Sequence, residues 1–229
     1  MPLLSDLLAR LSFLAAAPAV LGVFMTATVL VVSQDWRLNV ISLAVQYFLL
    51  SLLMTRLVRL EMAAVKALIG WLVCLVVYLT EQQARSLTRD SNGGSDLPVG
   101  SWFRARLEGW KTQGVSARAA FRFLAALTVA LTAYTLASAI PLPQLPPGLA
   151  GACYLLGGLG VLLIGLSQDP VRVGLGLLTF LSAFDLFYVA LEPSLVVAGL
   201  LGSISFVIAL GMAYVRTAHV TGGGVEGAT

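Results

Sequence analysis

Charged residues are scarce in this sequence. Asp, Glu, Lys and Arg make up 11% of its 229 residues, whereas hydrophobic residues make up 59%. Soluble domains carry about 25% charged residues, and apolar runs of about 20 residues are typical of transmembrane helices. The composition therefore excludes a soluble globular protein and predicts a membrane protein in contact with the lipid bilayer. The formal net charge of +3 is small, and we expect no nucleic-acid partner.

Side chains suited to catalysis or metal binding are equally few. The one histidine, His219, lies in the polar C-terminal tail, and Cys74 and Cys153 lie in separate apolar runs. Free cysteines in such runs usually behave as small buried hydrophobic side chains. The sequence has no Ser/His/Asp set, no paired carboxylates on one helix face and no Cys/His cluster. We therefore expect no enzyme active site, no metal site and no other cofactor.

Two parts of the chain resemble each other. The first begins with SQDWR at Ser33 and continues through an apolar run, a Leu-Glu pair ending at Glu61, and a second apolar run to Leu79. The second begins with SQDPVR at Ser167 and has its Leu-Glu pair ending at Glu192. Matched residues lie 131 to 134 positions apart, and an apolar run precedes each copy. This pattern predicts an internal duplication of a three-helix unit.

The apolar runs predict an all-α polytopic membrane protein with about seven transmembrane helices. Only helices satisfy their own backbone groups in lipid without closing a barrel, and these runs lack the alternation of barrel strands. A three-helix unit ends on the opposite side of the membrane from its start, so one extra helix makes the second unit parallel to the first. The predicted helices cover about 14–32, 38–55, 60–79, 119–140, 149–166, 173–191 and 195–214.

The predicted divisions of the chain follow these helices. They are a first three-helix membrane unit at 1–80, a cytoplasmic linker with a surface helix at 81–118, a connecting transmembrane helix and proline-rich turn at 119–148, a second three-helix membrane unit at 149–216, and a flexible tail at 217–229. The surface helix is expected around Trp102, Phe103 and Trp110, where aromatic and basic residues alternate as in helices that lie on a membrane. A docking segment for a partner is the alternative.

The basic residues lie mostly on one side of the predicted membrane. Three lie on the side of the N-terminus, namely Arg10, Arg56 and Arg59. Ten lie on the other side, namely Arg37, Arg85, Arg89, Arg104, Arg106, Lys111, Arg118, Arg122, Arg172 and Arg216. Because cytoplasmic loops carry an excess of Lys and Arg, we expect the N-terminus outside the cell and the C-terminus in the cytoplasm.

Lys66 is the one basic residue that lies well inside a predicted membrane span rather than near its cytoplasmic end. A lysine at membrane depth costs about 2.5–3.5 kcal/mol on insertion scales, so it normally faces protein or water. We expect Lys66 to point into protein, within reach of Gln46 in the preceding helix or of an acidic group on a partner subunit. A side chain that extends to the outer surface is the alternative, and Gln46 could equally serve as a hydrogen-bonding contact between helices.

Three acidic residues are further candidates for an ion path or for helix stabilisation. Asp185 is the only acidic residue well inside an apolar run. Burial disfavours its charged form, which suits a proton site and equally a neutral, hydrogen-bonded acid. Glu61 and Glu192 lie at predicted helix starts, where a negative charge interacts favourably with the helix dipole.

At these residues the sequence resembles a known family. An apolar helix, a polar turn with a basic residue, Gln46, and Lys66 followed by an apolar run resemble the first half of the hydrogenase-4 component E subunit. Such subunits are similar to two copies of the three-helix K subunit of bacterial complex I (chain 4L) or of the C subunit of Mrp-type antiporters. The resemblance covers Gly22 to Leu79 and Leu149 to Tyr214.

The resemblance implies a non-catalytic subunit of a proton- or cation-translocating complex in a prokaryotic inner membrane, with antiporter-like partner subunits. It places Gln46 and Lys66 where the family has a polar residue and a lysine. The second half departs from the family, because Phe180 stands near the position of its middle-helix glutamate and Asp185 follows more than a turn later. The acidic residue of its third helix is also missing. A scaffold or assembly subunit without an ion role and a small free-standing transporter remain the alternatives.

The orientation of the chain can be tested by labelling. We expect a Ser95→Cys variant to resist a membrane-impermeant thiol reagent in intact cells, because the segment from Glu81 to Arg118 is predicted to be cytoplasmic. Labelling after the cells are permeabilised serves as the control. Rapid labelling in intact cells would show that the predicted orientation is wrong.

Overall fold

Seven α-helices make up the described part of the chain. The structure is a computed structural model, and it describes residues 20–33, 35–55, 60–90, 117–140, 147–191 and 194–222. The helices are α1 (Val20–Val32), α2 (Trp36–Met54), α3 (Leu60–Asp90), α4 (Ala117–Ala139), α5 (Pro147–Leu166), α6 (Pro170–Leu191) and α7 (Leu195–Gly222). Helices α2 to α7 are each long and apolar enough to cross a membrane, whereas the described part of α1 is shorter. The predicted class, an all-α polytopic membrane protein, is confirmed.

Two helices are longer than their hydropathy predicts. The predicted ends of α3 and α7 were Leu79 and Tyr214, but the helices continue to Asp90 and Gly222. Helix α3 has 31 residues and is therefore about 46 Å long, which exceeds the hydrocarbon thickness of about 30 Å. The start of the predicted linker is thus helical, and the backbone of His219 belongs to α7 rather than to a flexible tail. The predicted surface helix around Trp102 lies outside the described residues.

Helices α5 and α6 begin slightly earlier than predicted. Their first residues are Pro147 and Pro170. Proline suits the first helical position, because its fixed φ is helical and an N–H there has no intrahelical acceptor. The proline-rich turn between α4 and α5 therefore ends inside the next helix.

Contacts within each three-helix group join neighbours in the chain. Helix α2 packs on α3, α5 packs on α6, and α6 packs on α7. Helix α1 lies against α2, where the backbone of Gly22 faces the side chain of Leu49. Between the groups, α3 packs on α7 and α2 packs on α6. In the predicted duplication, α3 is equivalent to α7 and α2 is equivalent to α6.

The matched helices α3 and α7 run side by side in the same direction. Near their starts, the side chain of Ile69 lies against the backbone of Gly202. Near their ends, Glu81 Oε1 lies 3.2 Å from Arg216 Nε. The contacting residues are 133 and 135 positions apart, close to the spacing of the two sequence copies. Such contacts between matched positions are expected near a two-fold axis along the membrane normal. The duplication itself stays a prediction.

Helix α4 has the least protein around it. Only 11% of its membrane-length window is buried, against 56% for α6. It packs on α5, where Val129 lies against Gly158. Helix α4 is the one that the sequence predicts to connect the two three-helix units.

The buried centre is formed mainly by aliphatic side chains from both groups. Four residues at this centre are each 0% exposed, and they come from α2, α3, α6 and α7, namely Leu43, Val73, Leu178 and Ala209. Cys74 and Cys153 are buried free thiols in the same cluster. The expectation that both cysteines act as small buried side chains agrees with this placement.

The backbones of α5 and α6 approach each other closely at Gly160. A Cβ atom at this position would lie 2.7 Å from the backbone nitrogen of Phe180 and 3.0 Å from the carbonyl oxygen of Gly176. Backbone cannot move aside as a flexible side chain can, so these helices require glycine here. Small residues at helix contacts are the usual means of close packing in membranes.

We expect Gly160→Ala to destabilise the protein by about 1–3 kcal/mol, which is typical of an overpacked site. Gly165→Ala is the matched control on the same helix, because a Cβ there meets nothing within 4 Å. Thermal unfolding in mild detergent should give a lower Tm for Gly160→Ala only. Equal Tm values for the two variants would contradict the close approach.

Candidate functional site

Two oppositely charged side chains meet inside the helix bundle. Lys66 Nζ on α3 lies 2.6 Å from Asp185 Oδ1 on α6, and each side chain is 11% exposed. Lys66 is six residues from the start of α3, and Asp185 is six residues from the end of α6. At a rise of 1.5 Å per residue, each lies about 9 Å from its helix end. The pair, called here the paired site, therefore links the two three-helix groups within the membrane span.

The partner of Lys66 differs from both predicted partners. Lys66 does point into protein, as expected, but its acidic contact is Asp185 of the same chain rather than Gln46 or a residue of another subunit. The alternative in which Lys66 extends to the outer surface does not agree with this contact. A role of these residues in conducting an ion stays a prediction.

Small and hydroxyl-bearing residues surround the paired site. The pocket beside it is lined by Tyr47, Leu50, Ser51, Met54, Ile69, Gly70, Leu181, Ser182, Gly202 and Ser205. Gly70 makes room for Tyr47, because a Cβ at Gly70 would lie 2.7 Å from Cγ of the Tyr47 ring. Gly202, matched to Gly70 at a spacing of 132, similarly makes room for Ile69.

Two serine hydroxyls beside the pair donate hydrogen bonds within their own helices. Ser182 donates to the carbonyl oxygen of Leu178 at 2.8 Å, and Ser205 donates to that of Leu201 at 3.0 Å. Both hydroxyls therefore keep lone pairs that can accept a hydrogen bond. The buried hydroxyl of Tyr47 lies near both serines. The surroundings of the pair can thus accept and donate hydrogen bonds without adding charge.

Gln46 is buried but lies apart from the pocket of the paired site. Its side chain is 1% exposed, and neither amide atom has a hydrogen-bond partner among the described residues. Asn39, which is 3% exposed, has an unpartnered Oδ1 and lies seven residues earlier on the same face of α2. Buried amides without protein partners are usually bonded to ordered water. Helix α2 therefore carries a polar stripe from its start to its middle.

A second polar cluster lies at the opposite end of the same four helices. Its pocket is lined by Trp36, Asn39, Val40, Val77, Glu81, Asp169, Val171, Arg172, Leu175 and Arg216. The ion pair of Glu81 with Arg216 contributes to it, and Arg172 Nη2 donates to the carbonyl oxygen of Ser33 at 3.2 Å. We call Glu81, Asp169, Arg172 and Arg216 the interfacial cluster. Sequence reasoning missed it, although opposite charges at the nearly matched positions Glu81 and Arg216 were a signal.

The remaining candidates are placed only in part. Glu61 is the second residue of α3, and its side chain lies outside the described residues, as does all of Glu192. Phe180, at the position of the family glutamate, is 40% exposed, and its backbone lies against Gly160 of α5. In the described structure, Asp185 rather than position 180 supplies the acid that meets Lys66.

The arrangement can hold a proton in two ways. In one form Lys66 is an ammonium and Asp185 a carboxylate, and in the other the proton has moved to give a neutral amine and a neutral acid. Low polarity disfavours separated charges, whereas contact between the charges favours the ionic form. A change of charge nearby can therefore shift the proton between the two side chains.

The stability of the pair can be tested by single and double substitutions. Removing one member leaves the other without a partner, which costs about 3–5 kcal/mol for a buried pair. We therefore expect Lys66→Met and Asp185→Leu each to lower the Tm in detergent. The double variant replaces both charges by apolar side chains and should recover most of the loss. A double variant as unstable as the two single losses combined would contradict a direct interaction.

Comparison with known proteins gives no relative from which a function could be transferred. No family model matches the sequence, no curated protein matches it, and no solved structure matches the fold. The function must therefore be argued from the geometry of the chain itself.

Proposed function

We propose that this protein is a non-catalytic membrane subunit of a proton- or cation-translocating complex of the complex-I-like, hydrogenase-like or Mrp-like kind. The observation that carries the proposal is the paired site, in which Lys66 and Asp185 from two helix groups meet within the membrane span. Ionisable residues inside membrane spans usually face the bundle interior, pair with one another and mark ion paths or proton relays.

The free energy of the pair favours a role beyond structural support. A buried ion pair stabilises a protein little or not at all relative to well-packed apolar residues. Two leucine-like side chains could hold α3 against α6 without the risk of an unpaired charge. A proton-accepting function explains why charge is placed where apolar packing would suffice.

The surroundings of the pair suit a small ion better than an organic substrate. The described pocket beside it is lined largely by aliphatic residues and glycine, with three serines and Tyr47 as polar groups. Binding sites for organic solutes are usually concave cavities of about 300–1,000 Å³ with converging polar groups. The cavity beside the pair has a volume of only about 20 Å³, and this small size favours a translocating subunit over a free-standing solute transporter.

In the proposed mechanism the paired site acts as a local proton store. Lys66 gives its proton to Asp185 when a nearby cation on a partner subunit disfavours the ammonium. The proton returns when that charge is withdrawn. The serine hydroxyls beside the pair donate to backbone carbonyl oxygens, and their remaining lone pairs can accept a hydrogen bond from the Lys66 ammonium. Coupling to a redox or antiport step comes from the partner subunits, and this chain supplies none of that chemistry.

The proposed location is a prokaryotic inner membrane with the N-terminus outside. The interfacial cluster then faces the cytoplasm and the paired site lies nearer the outer surface. Antiporter-like partner subunits fit the large apolar surfaces of the spans, as does lipid. Identifying the proteins that copurify in mild detergent tests the partnership directly.

The ion role is tested by substitutions in the assembled complex. We expect Lys66→Met and Asp185→Asn to leave assembly intact and to reduce coupled proton pumping about tenfold or more, a typical size for loss of a positioned proton carrier. Ser203→Ala is the control, because the exposed Ser203 hydroxyl donates to the carbonyl oxygen of Gly199 in its own helix and lies outside the pocket of the paired site. Pumping is measured by acidification in inverted vesicles.

The double variant Lys66→Met with Asp185→Leu separates the two main functions. In the proposed function this variant assembles but does not pump, because no proton carrier remains. In the scaffold alternative it assembles and pumps normally. Normal pumping would therefore contradict the ion role and favour a scaffold or assembly subunit.

A further inference from the structure

One arginine near the start of α4 has no partner among the described residues. Atom Nη1 of Arg122 is buried and has no hydrogen-bond partner among the described residues. The described residues also give this guanidinium no ion pair. A buried donor without a partner costs about 1–3 kcal/mol, and more when it is charged. Arg122 therefore needs an anion or a polar group that the described residues do not supply there.

A second arginine lies nearby and makes this need stronger. Arg172, at the start of α6, is close enough to Arg122 for the two charges to repel each other. Arg172 has its own compensation, because it donates to the carbonyl oxygen of Ser33 and is attracted by Asp169 and Asp35. The repulsion from Arg172 therefore raises the free-energy cost of burying the Arg122 guanidinium.

The chain path places these arginines at one end of the bundle. Helices α4 and α5 form a hairpin, since the hydroxyl of Tyr154 near the start of α5 donates to the carbonyl oxygen of Ile140 at 3.2 Å. Further along, Val129 of α4 meets Gly158 of α5. The start of α4 is therefore beside the end of α5 and the start of α6. At the ends of membrane-length helices, this is the level of the lipid headgroups.

Apolar side chains project outward next to Arg122. Phe121, Phe123 and Leu124 are 62%, 54% and 60% exposed. A ligand that combines an anionic head with apolar chains matches both features, because its head can contact the guanidinium groups and its chains can lie along these side chains. Phospholipids have this chemistry, and they are present wherever the protein is embedded.

We propose that Arg122, supported by Arg172, binds the phosphate of an anionic phospholipid between the starts of α4 and α6. Basic sites between transmembrane helices on the cytoplasmic side are known to accept such headgroups. Arginine suits this role because its planar donors match phosphate oxygens. The proposal does not depend on an ion-translocating function.

The bound lipid has a structural consequence for α4. This helix has few protein neighbours, and it packs on α5 rather than within a surrounding bundle. A phosphate between Arg122 and Arg172 replaces their repulsion by two attractions. The lipid should therefore hold the start of α4 against α6 and raise the unfolding temperature.

The test uses the full chain purified in mild detergent. Binding of phosphatidylglycerol, phosphatidylcholine and inorganic phosphate is compared by native mass spectrometry and by thermal shift. We expect phosphatidylglycerol to bind about tenfold more tightly than phosphatidylcholine and to raise the Tm, since charge-assisted hydrogen bonds to phosphate are strong. Arg122→Gln should lose this preference. Arg37→Gln removes a charge of the same sign from α2, where Arg37 lies over the Trp36 ring. This variant should keep the preference for phosphatidylglycerol.

Further measurements keep the proposal open to refutation. If Arg122→Gln does not fold, the salt dependence of the wild-type protein decides, because only binding to a charged site weakens as ionic strength rises. Equal binding of the two lipids, or a lipid preference unaffected by salt, would overturn the proposal. Equal stabilisation by inorganic phosphate alone would overturn the assignment to a lipid. Arg37→Gln losing as much preference as Arg122→Gln would show that total charge, not this site, is responsible.

Discussion

The cost of an unpaired charge within the membrane constrains the arrangement of this bundle. Lys66 and Asp185 lie on helices from different three-helix groups, and each satisfies the other at 2.6 Å. Neither α3 nor α6 can rotate or slide by a helical turn without separating them. The contact of Ile69 with the backbone of Gly202 restricts the position of α3 against α7 in a similar way. The ion pair and this contact therefore both fix the register between the groups.

Most of the helices could be predicted from hydropathy, because a membrane span must bury about 20 consecutive residues in lipid. The continuations of α3 and α7 could not, since apolar character falls after Leu79 and Tyr214 while the backbone remains helical. Residues such as Glu81, Gln82 and Gln83 favour helix without being apolar. Hydropathy predicts which part of a helix lies in the membrane, but it does not predict where the helix ends.

The partner of Lys66 was harder to predict than its burial. Lys66 and Asp185 are 119 positions apart, and the sequence does not show which faces of α3 and α6 meet. Gln46 can offer Lys66 a hydrogen bond, but an amide cannot neutralise a cation. One cation and one acid well inside the spans of the same chain are expected to neutralise each other. Charge balance therefore identifies the partner of Lys66 more directly than sequence distance does.

The pairing of Glu81 with Arg216 restricts how the two halves can be combined. In a homodimer of the first half alone, the two-fold axis would bring Glu81 towards its own copy, and two carboxylates would repel. A homodimer of the second half would bring Arg216 towards another Arg216. Joining both halves in one polypeptide allows opposite charges at almost equivalent places. The same holds for the lysine and the aspartate, which no symmetric assembly of one half could supply together. The halves are therefore not interchangeable, and each requires the other as a neighbour of different composition.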